Sequence, residues 1–135
     1  MSGPVLRETR AMIAGLNPEL QPGAYVFCAP PEALTAACAA AALASFREPE
    51  GPSFLLPAAK AEALGLEASP PMGWIILKVY SSLEGVGLTA AVAQALAARG
   101  IPCNMVAALR HDHVFTPLDR AEEALEILRA LQAKA

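Results

Sequence analysis

The stretch from Trp74 to Pro117 constrains the fold most. It opens on Trp74-Ile75-Ile76-Leu77-Lys78-Val79-Tyr80, the most hydrophobic segment of the chain. Residues of alternating parity point to opposite faces of a strand, and here both faces are largely apolar, which predicts a central strand rather than an edge. A small polar segment, Ser81-Ser82-Leu83-Glu84-Gly85-Val86-Gly87, leads into a helix predicted over Leu88–Arg99. Leu88, Val92, Ala95 and Leu96 fall on one face of that helix. Arg99 suits the negative end of its dipole, and Gly100 suits the left-handed position that closes it. An alternating run, Cys103–Leu109, then predicts a second strand. The chain reverses at Arg110-His111-Asp112-His113 and returns through Val114-Phe115-Thr116. The order is strand, helix, strand, strand.

The same order is legible upstream. A short amphipathic helix is predicted over Val5–Leu16, ended by Asn17-Pro18 because the residue before proline leaves the helical region. Gln21-Pro22-Gly23 reads as a turn and Ala24–Ala29 as a buried strand. Glu32–Ala44 reads as an alanine-rich helix, Ser45–Glu48 as a strand, Pro49-Glu50-Gly51-Pro52 as a turn and Ser53–Leu56 as a strand. Pro57 opens a helix that Gly65 closes. Glu67–Gly73, with Pro70-Pro71, reads as a linker. Phe54-Leu55-Leu56-Pro57 with Ala61-Glu62 matches Val114-Phe115-Thr116-Pro117 with Ala121-Glu122 at constant spacing. Thr116 is a candidate cap, Pro117 fits the first helical position and Asp119 the third, as in a capping box. Leu118, Ala121, Leu125, Leu128 and Leu131 make the stripe of the last helix. The expected fold class is therefore α/β (α+β): two ferredoxin-type βαββα units in tandem, with antiparallel sheets and helices on one face. Residues 1–68 form the first unit with its leading helix, and 69–135 the second.

Composition narrows function. The 135 residues carry a formal charge of −3, with no basic block or basic-aromatic stripe, which argues against nucleic acid as a partner. The longest apolar run, Ala33–Phe46, is mostly alanine and shorter than the roughly 20 residues that span a bilayer. No signal-peptide pattern opens the sequence, so a cytoplasmic location with no membrane partner is expected. The three cysteines show no C-x-x-C spacing, and we read them as small buried hydrophobes.

The Ser81–Thr89 segment is the candidate binding site. Free amides at a helix start, together with the helix dipole, suit a ligand carboxylate. Gly85 and Gly87 permit close backbone approach. Ser81, Ser82 and Thr89 offer hydroxyls, Glu84 offers a carboxylate for an amino group, and Leu83, Val86 and Leu88 complete the segment. The alternative is an ordinary strand-to-helix turn capped by a serine. Asn104, polar in an apolar strand, is expected beside this loop, as a ligand contact or bonded to neighbouring backbone. His111-Asp112-His113 offers metal-ligating side chains, but a third histidine is absent and a solvated hairpin turn is the expected reading. No catalytic nucleophile–base pair, metal set or cofactor motif is visible.

Ser81–Val92, Ile101-Pro102-Cys103-Asn104 and His111–Pro117 resemble the small bacterial ACT-domain proteins, in which two ACT-like units lie in tandem. The Tyr25–Cys28 strand and Phe46-Arg47-Glu48-Pro49-Glu50-Gly51 are similar to their N-terminal unit. The resemblance implies a regulatory module that binds an amino acid or a similar small molecule, without catalysis and without a cofactor, as a homodimer. Two other readings compete: a protein-assembly module without a metabolite, and a small metal-dependent enzyme using His111, Asp112 and His113.

Overall fold

In a computed structural model of the chain, the structure describes residues 8–80 and 85–135. The elements are α1 (Thr9–Ala14), β1 (Pro18–Leu20), β2 (Tyr25–Cys28), α2 (Thr35–Ala41), β3 (Ala44–Glu48), β4 (Gly51–Pro57), α3 (Ala58–Ala63), β5 (Met72–Leu77), α4 (Leu88–Ala97), β6 (Asn104–Ala107), β7 (Asp112–Pro117) and α5 (Ala121–Ala133). Short 3₁₀ turns at Glu32–Leu34 and Leu118–Arg120 precede α2 and α5. The mixed antiparallel architecture with ferredoxin-type units is as expected.

The chain forms two compact units. One is Pro22–Met72; the other combines Gly73–Ala135 with the described residues up to Gln21. In the Pro22–Met72 unit the strands lie in the order β3-β4-β2. Glu48 pairs with Gly51 across the two-residue turn Pro49-Glu50, and the pairing runs back to Ala44 opposite Leu55. β2 and β4 pair from Tyr25–Pro57 to Cys28–Phe54. Phe54, Leu56, Val26 and Cys28 then face Cys38 of α2 and Ala61 of α3 to make the core. Alanine dominates both helices, so they lie close to the sheet but bury little side chain. Cys28 and Cys38, on elements that sequence spacing does not connect, meet in this core. The Cys28 thiol is pushed up by burial first and then by Cys38.

In the other unit β5 lies between β1 and β7, and β6 is outermost. Pro18, Glu19 and Leu20 pair with Leu77, Ile76 and Ile75. This strand, only three residues long and opened by proline, carries no period that sequence reading detects. It gives β5 a neighbour on the side away from β7. Met12 and Leu16 of the leading segment reach the same core as Ile75, Leu77, Val79, Leu88, Val92, Leu96, Val114, Leu125 and Leu128. The leading helix therefore packs with the second half of the sequence. Asn17, at a positive φ of 45°, turns the chain between α1 and β1. The Gln132 side chain fixes that turn. Its Oε1 accepts from Asn17 N at 2.8 Å, and its Nε2 donates to Ala14 O at 2.9 Å and to Asn17 Oδ1 at 2.8 Å.

The repeated prolines have nearly the same backbone, φ −55° and ψ 134° at Pro57, φ −50° and ψ 136° at Pro117. Each stands at the cap position rather than inside the first turn. The expected capping box at Thr116 does not form: no side chain caps the turn after Pro117, and the buried Thr116 hydroxyl has no partner. Residues 118–120 wind as a 3₁₀ turn, so Leu118 leaves the apolar stripe and is 42 % exposed, while Ala121, Ala124, Leu125 and Leu128 are buried. Gly73 is where β5 crosses α5. A Cβ on it would lie 2.5 Å from the Ala121 Cβ.

Candidate functional site

The candidate loop joins the end of β5 to the start of α4. Ser81, Ser82, Leu83 and Glu84 lie outside the described residues. The chain approaches them on a fixed backbone: Lys78 N donates to Asn17 O at 3.4 Å and Val79 N to Leu16 O at 3.3 Å. Val79 is buried although regular strand pairing has ended. Gly85 is half-buried and Val86 is 78 % exposed.

Gly87 is the cap residue of α4. Its φ of 101° and ψ of −18° place it in the left-handed region that favours glycine. Gly87 stands at the cap position and no described side chain caps α4; the serines of the capped-turn reading lie outside the described residues. The first amides of a helix have no partner inside it, and here Gly87 has no side chain to offer them one. Leu88 is anchored in the core and Thr89 is exposed one residue on.

Thr9 of α1 braces this turn. Its hydroxyl donates to the carbonyl oxygen of Val86. Its side chain also occupies the space beside Gly87, where a Cβ would lie 2.7 Å from Thr9 Oγ1. Sequence reading missed Thr9, because nothing in its spacing links residue 9 to residue 87.

The polar residues of β6 and β7 divide between two ends and two faces. Asn104 is exposed and pairs with Phe115, whereas the hairpin turns at its other end, where Ala108 N donates to His111 O at 3.1 Å. His111 Nδ1 reaches Val79 O at 3.3 Å and ties that turn to the end of β5. Asn104 is thus placed at the far end of the hairpin from the contact with β5.

The expected solvated turn over His111-Asp112-His113 is corrected by the structure. β7 begins at Asp112, so Asp112 and His113 are strand residues. The apolar residues that follow carry the strand to its first position. Trp74 Nε1 donates to His113 Nδ1 at 3.1 Å, and the Trp74 ring stacks on Phe115 with centroids 6.1 Å apart. Burial, and secondarily His111, hold the His113 imidazole below its usual range. Asp112 is buried, and burial pushes its carboxyl up against a smaller opposing effect of His111. The two histidines engage different partners, and among the described residues no three His, Cys, Asp or Glu side chains are grouped to hold a metal ion.

Residues 6–73 match one ACT-domain family and residues 70–130 match a second. The chain belongs to the ACT-domain family. It carries two ACT domains in tandem; ACT domains are regulatory and generally bind small-molecule ligands. A solved Vibrio cholerae protein of unknown function, described as a possible transport protein, is 41 % identical, with a TM-score of 0.81 over 91 % of this chain and 94 % of that one. An Agrobacterium tumefaciens protein is 14 % identical, with a TM-score of 0.68 over 85 % of this ACT protein and 87 % of its own length. The regulatory subunit of aspartate kinase from Thermus flavus is 14 % identical, with a TM-score of 0.59 over 87 % and 98 %. Likeness at 14 % speaks for the fold alone. No curated protein matches the chain. Among the described residues no helix is long and apolar enough to cross a membrane.

Proposed function

We propose that this ACT-domain protein is a non-enzymatic regulatory module that binds an amino acid or a similar small metabolite at the Ser81–Thr89 loop. The left-handed, side-chain-free Gly87 at the start of α4 carries the reading. It leaves the first amides of a ten-residue helix without a cap from the described residues, and such amides attract a carboxylate through their N–H groups and the helix dipole. Thr9 and Leu88 hold the turn from two sides, so the amides are positioned before a ligand arrives. The aspartate kinase regulatory subunits that share this fold are consistent with a regulatory role.

A thermal-shift screen of the intact protein against the twenty amino acids and related metabolites tests this. Ligand at a hundred times its Kd stabilises the folded state by about 2.7 kcal/mol, or several degrees in a domain of this size. A shift that Gly87→Ala loses supports the loop as the site. A blank screen on well-folded protein refutes it.

A second reading, assembly without a metabolite, is favoured by one observation. β3 is the outer strand of its unit and displays Phe46 at 73 % exposure. An open strand edge with an apolar side chain is a template for another strand, and the homodimer implied by the family resemblance would use it. Sedimentation of wild type and Phe46→Lys decides this. A dimer that Phe46→Lys dissociates supports the edge, and a monomeric wild type removes it.

A further inference from the structure

Helices α1, α4 and α5 belong to one compact unit and share one core, and their outer surface holds two adjoining hollows. The first, of about 320 Å³, lies between α1 and the end of α5, with Thr9, Arg10 and Ile13 on one side and Leu131 and Lys134 on the other. The second, of about 240 Å³, lies between α4 and α5, over Ala95, Ala98, Ile127 and Ala130, with Arg99 in its wall. Leu131 and Lys134 line both, so the hollows meet across the end of α5. Ile13, Ile127 and Leu131 are only half-buried against the core, which leaves apolar surface in the floor. The alanines keep the groove between α4 and α5 open, and a groove between helices accepts the side-chain ridge of a further helix. The walls are fixed to one another. Gln132 bonds Asn17 and Ala14, and Arg120 Nη2 donates to Arg99 O at 3.1 Å. The groove is therefore present before anything occupies it.

The charge of this surface runs against that of the chain. The lining cations are Arg10, Arg99 and Lys134, in a protein whose formal charge is −3. The neighbouring carboxylates are committed. Glu8, the one acidic lining residue, accepts from the Arg10 and Ala11 amides at 3.0 and 2.7 Å. Glu123 bonds Arg120 at 2.7 Å and reaches Arg99 only at 3.7 Å. Among the described residues Arg10 and Lys134 make no ion pair. We propose that this groove docks an acidic amphipathic helix of a partner protein. Its apolar residues, at helical spacing, fill the two hollows, and its carboxylates meet Arg10, Arg99 and Lys134. A second copy set on the same face about a two-fold axis would bring cation onto cation. A nucleic acid would leave the apolar floor uncovered. The docking surface does not rest on what the Ser81–Thr89 loop binds. The two share Thr9, which lines the first hollow and braces the turn before α4.

The test uses the intact chain and two displayed libraries of helical peptides. Both vary the apolar residues at i, i+3, i+4 and i+7; one carries glutamate at the remaining positions and the other lysine. Selected peptides are resynthesised, and their Kd is measured by fluorescence anisotropy on wild type, Ala130→Glu and Lys134→Glu. Both substituted positions are exposed, so the variants keep the core, and if one fails to fold the other decides. The expected result is that wild type selects glutamate peptides and no lysine peptides, and that each folded variant binds them at least about tenfold more weakly. Four outcomes overturn the proposal: no glutamate peptide is selected, lysine peptides bind equally well, a selected peptide binds as tightly with its sequence scrambled, or a folded variant keeps full affinity. Sedimentation supplies a fifth. A wild-type dimer that Ala130→Glu dissociates gives the face to a second copy and removes the partner helix.

Discussion

Thr9 fills the space that a side chain on Gly87 would occupy, and its hydroxyl holds the carbonyl of the preceding residue, Val86. Two segments far apart in sequence thus fix one turn. Gly87→Ala meets both the left-handed backbone and the Thr9 side chain. It is expected to cost roughly 1–3 kcal/mol in urea unfolding. In Gly87→Ala/Thr9→Gly the steric part disappears, so the double variant should be less destabilised than the two single changes added together. Strict additivity would show that Thr9 and Gly87 do not touch.

Gly73 and Ala121 form a second close approach. Gly73→Ala places a methyl group against the Ala121 Cβ, 2.5 Å away, in a buried crossing. Overpacking of this kind costs about 1–3 kcal/mol, and chemical denaturation measures it. Wild-type stability in the variant would mean that α5 is free to shift away from β5.

His113 sets a pH dependence. Burial favours its neutral form in the folded state, so its folded pKa lies below the unfolded value of 6.5. The unfolded chain then binds more protons, and the stability present above the unfolded pKa is lost as pH falls through 6.5 towards the folded pKa. Protonation also places a hydrogen on Nδ1, where Trp74 Nε1 donates. The melting temperature should fall between pH 7.5 and pH 5. The fluorescence of Trp74, the only tryptophan, should change with it. His113→Asn should flatten both curves, and a pH-independent tryptophan signal in wild type would exclude the link.

Leu96 measures the core under α4. It is fully buried among Ile75, Val92 and Leu128. Leu96→Ala should cost about 2–5 kcal/mol by removing side-chain burial and leaving a cavity. A loss near zero would place Leu96 outside the core.

The sequence carries the fold where elements are long or strongly periodic. The α4 face of Leu88, Val92 and Leu96 and the repeated strand-proline-helix junctions at Pro57 and Pro117 were legible, because each repeats a spacing that packing enforces. β1 was not, since three residues starting with proline have no period and become a strand only because β5 offers an edge. The polar turn expected at His111-Asp112-His113 fails for the converse reason. Polar residue types suggest solvent, but the strand running back through Val114 and Phe115 carries Asp112 and His113 into it. Within the candidate site, the glycine at the helix start was readable from Gly85-Val86-Gly87. Thr9 was not, since its contact depends on how α1 docks.

The pairing of β1 with β5 also decides how the chain bears force. Leu20 lies opposite Ile75, and Gln21 N donates to Trp74 O at 2.8 Å. In chain order the Pro22–Met72 unit is inserted between these two points. Tension applied to the chain ends first loads the Gln132 bonds to Ala14 and Asn17, and the inserted unit carries none of it until β1 is peeled from β5. Stretched from its ends, the molecule should first part α1 from α5 at Gln132, then peel β1 from β5, and only then release the length stored in the unit between them.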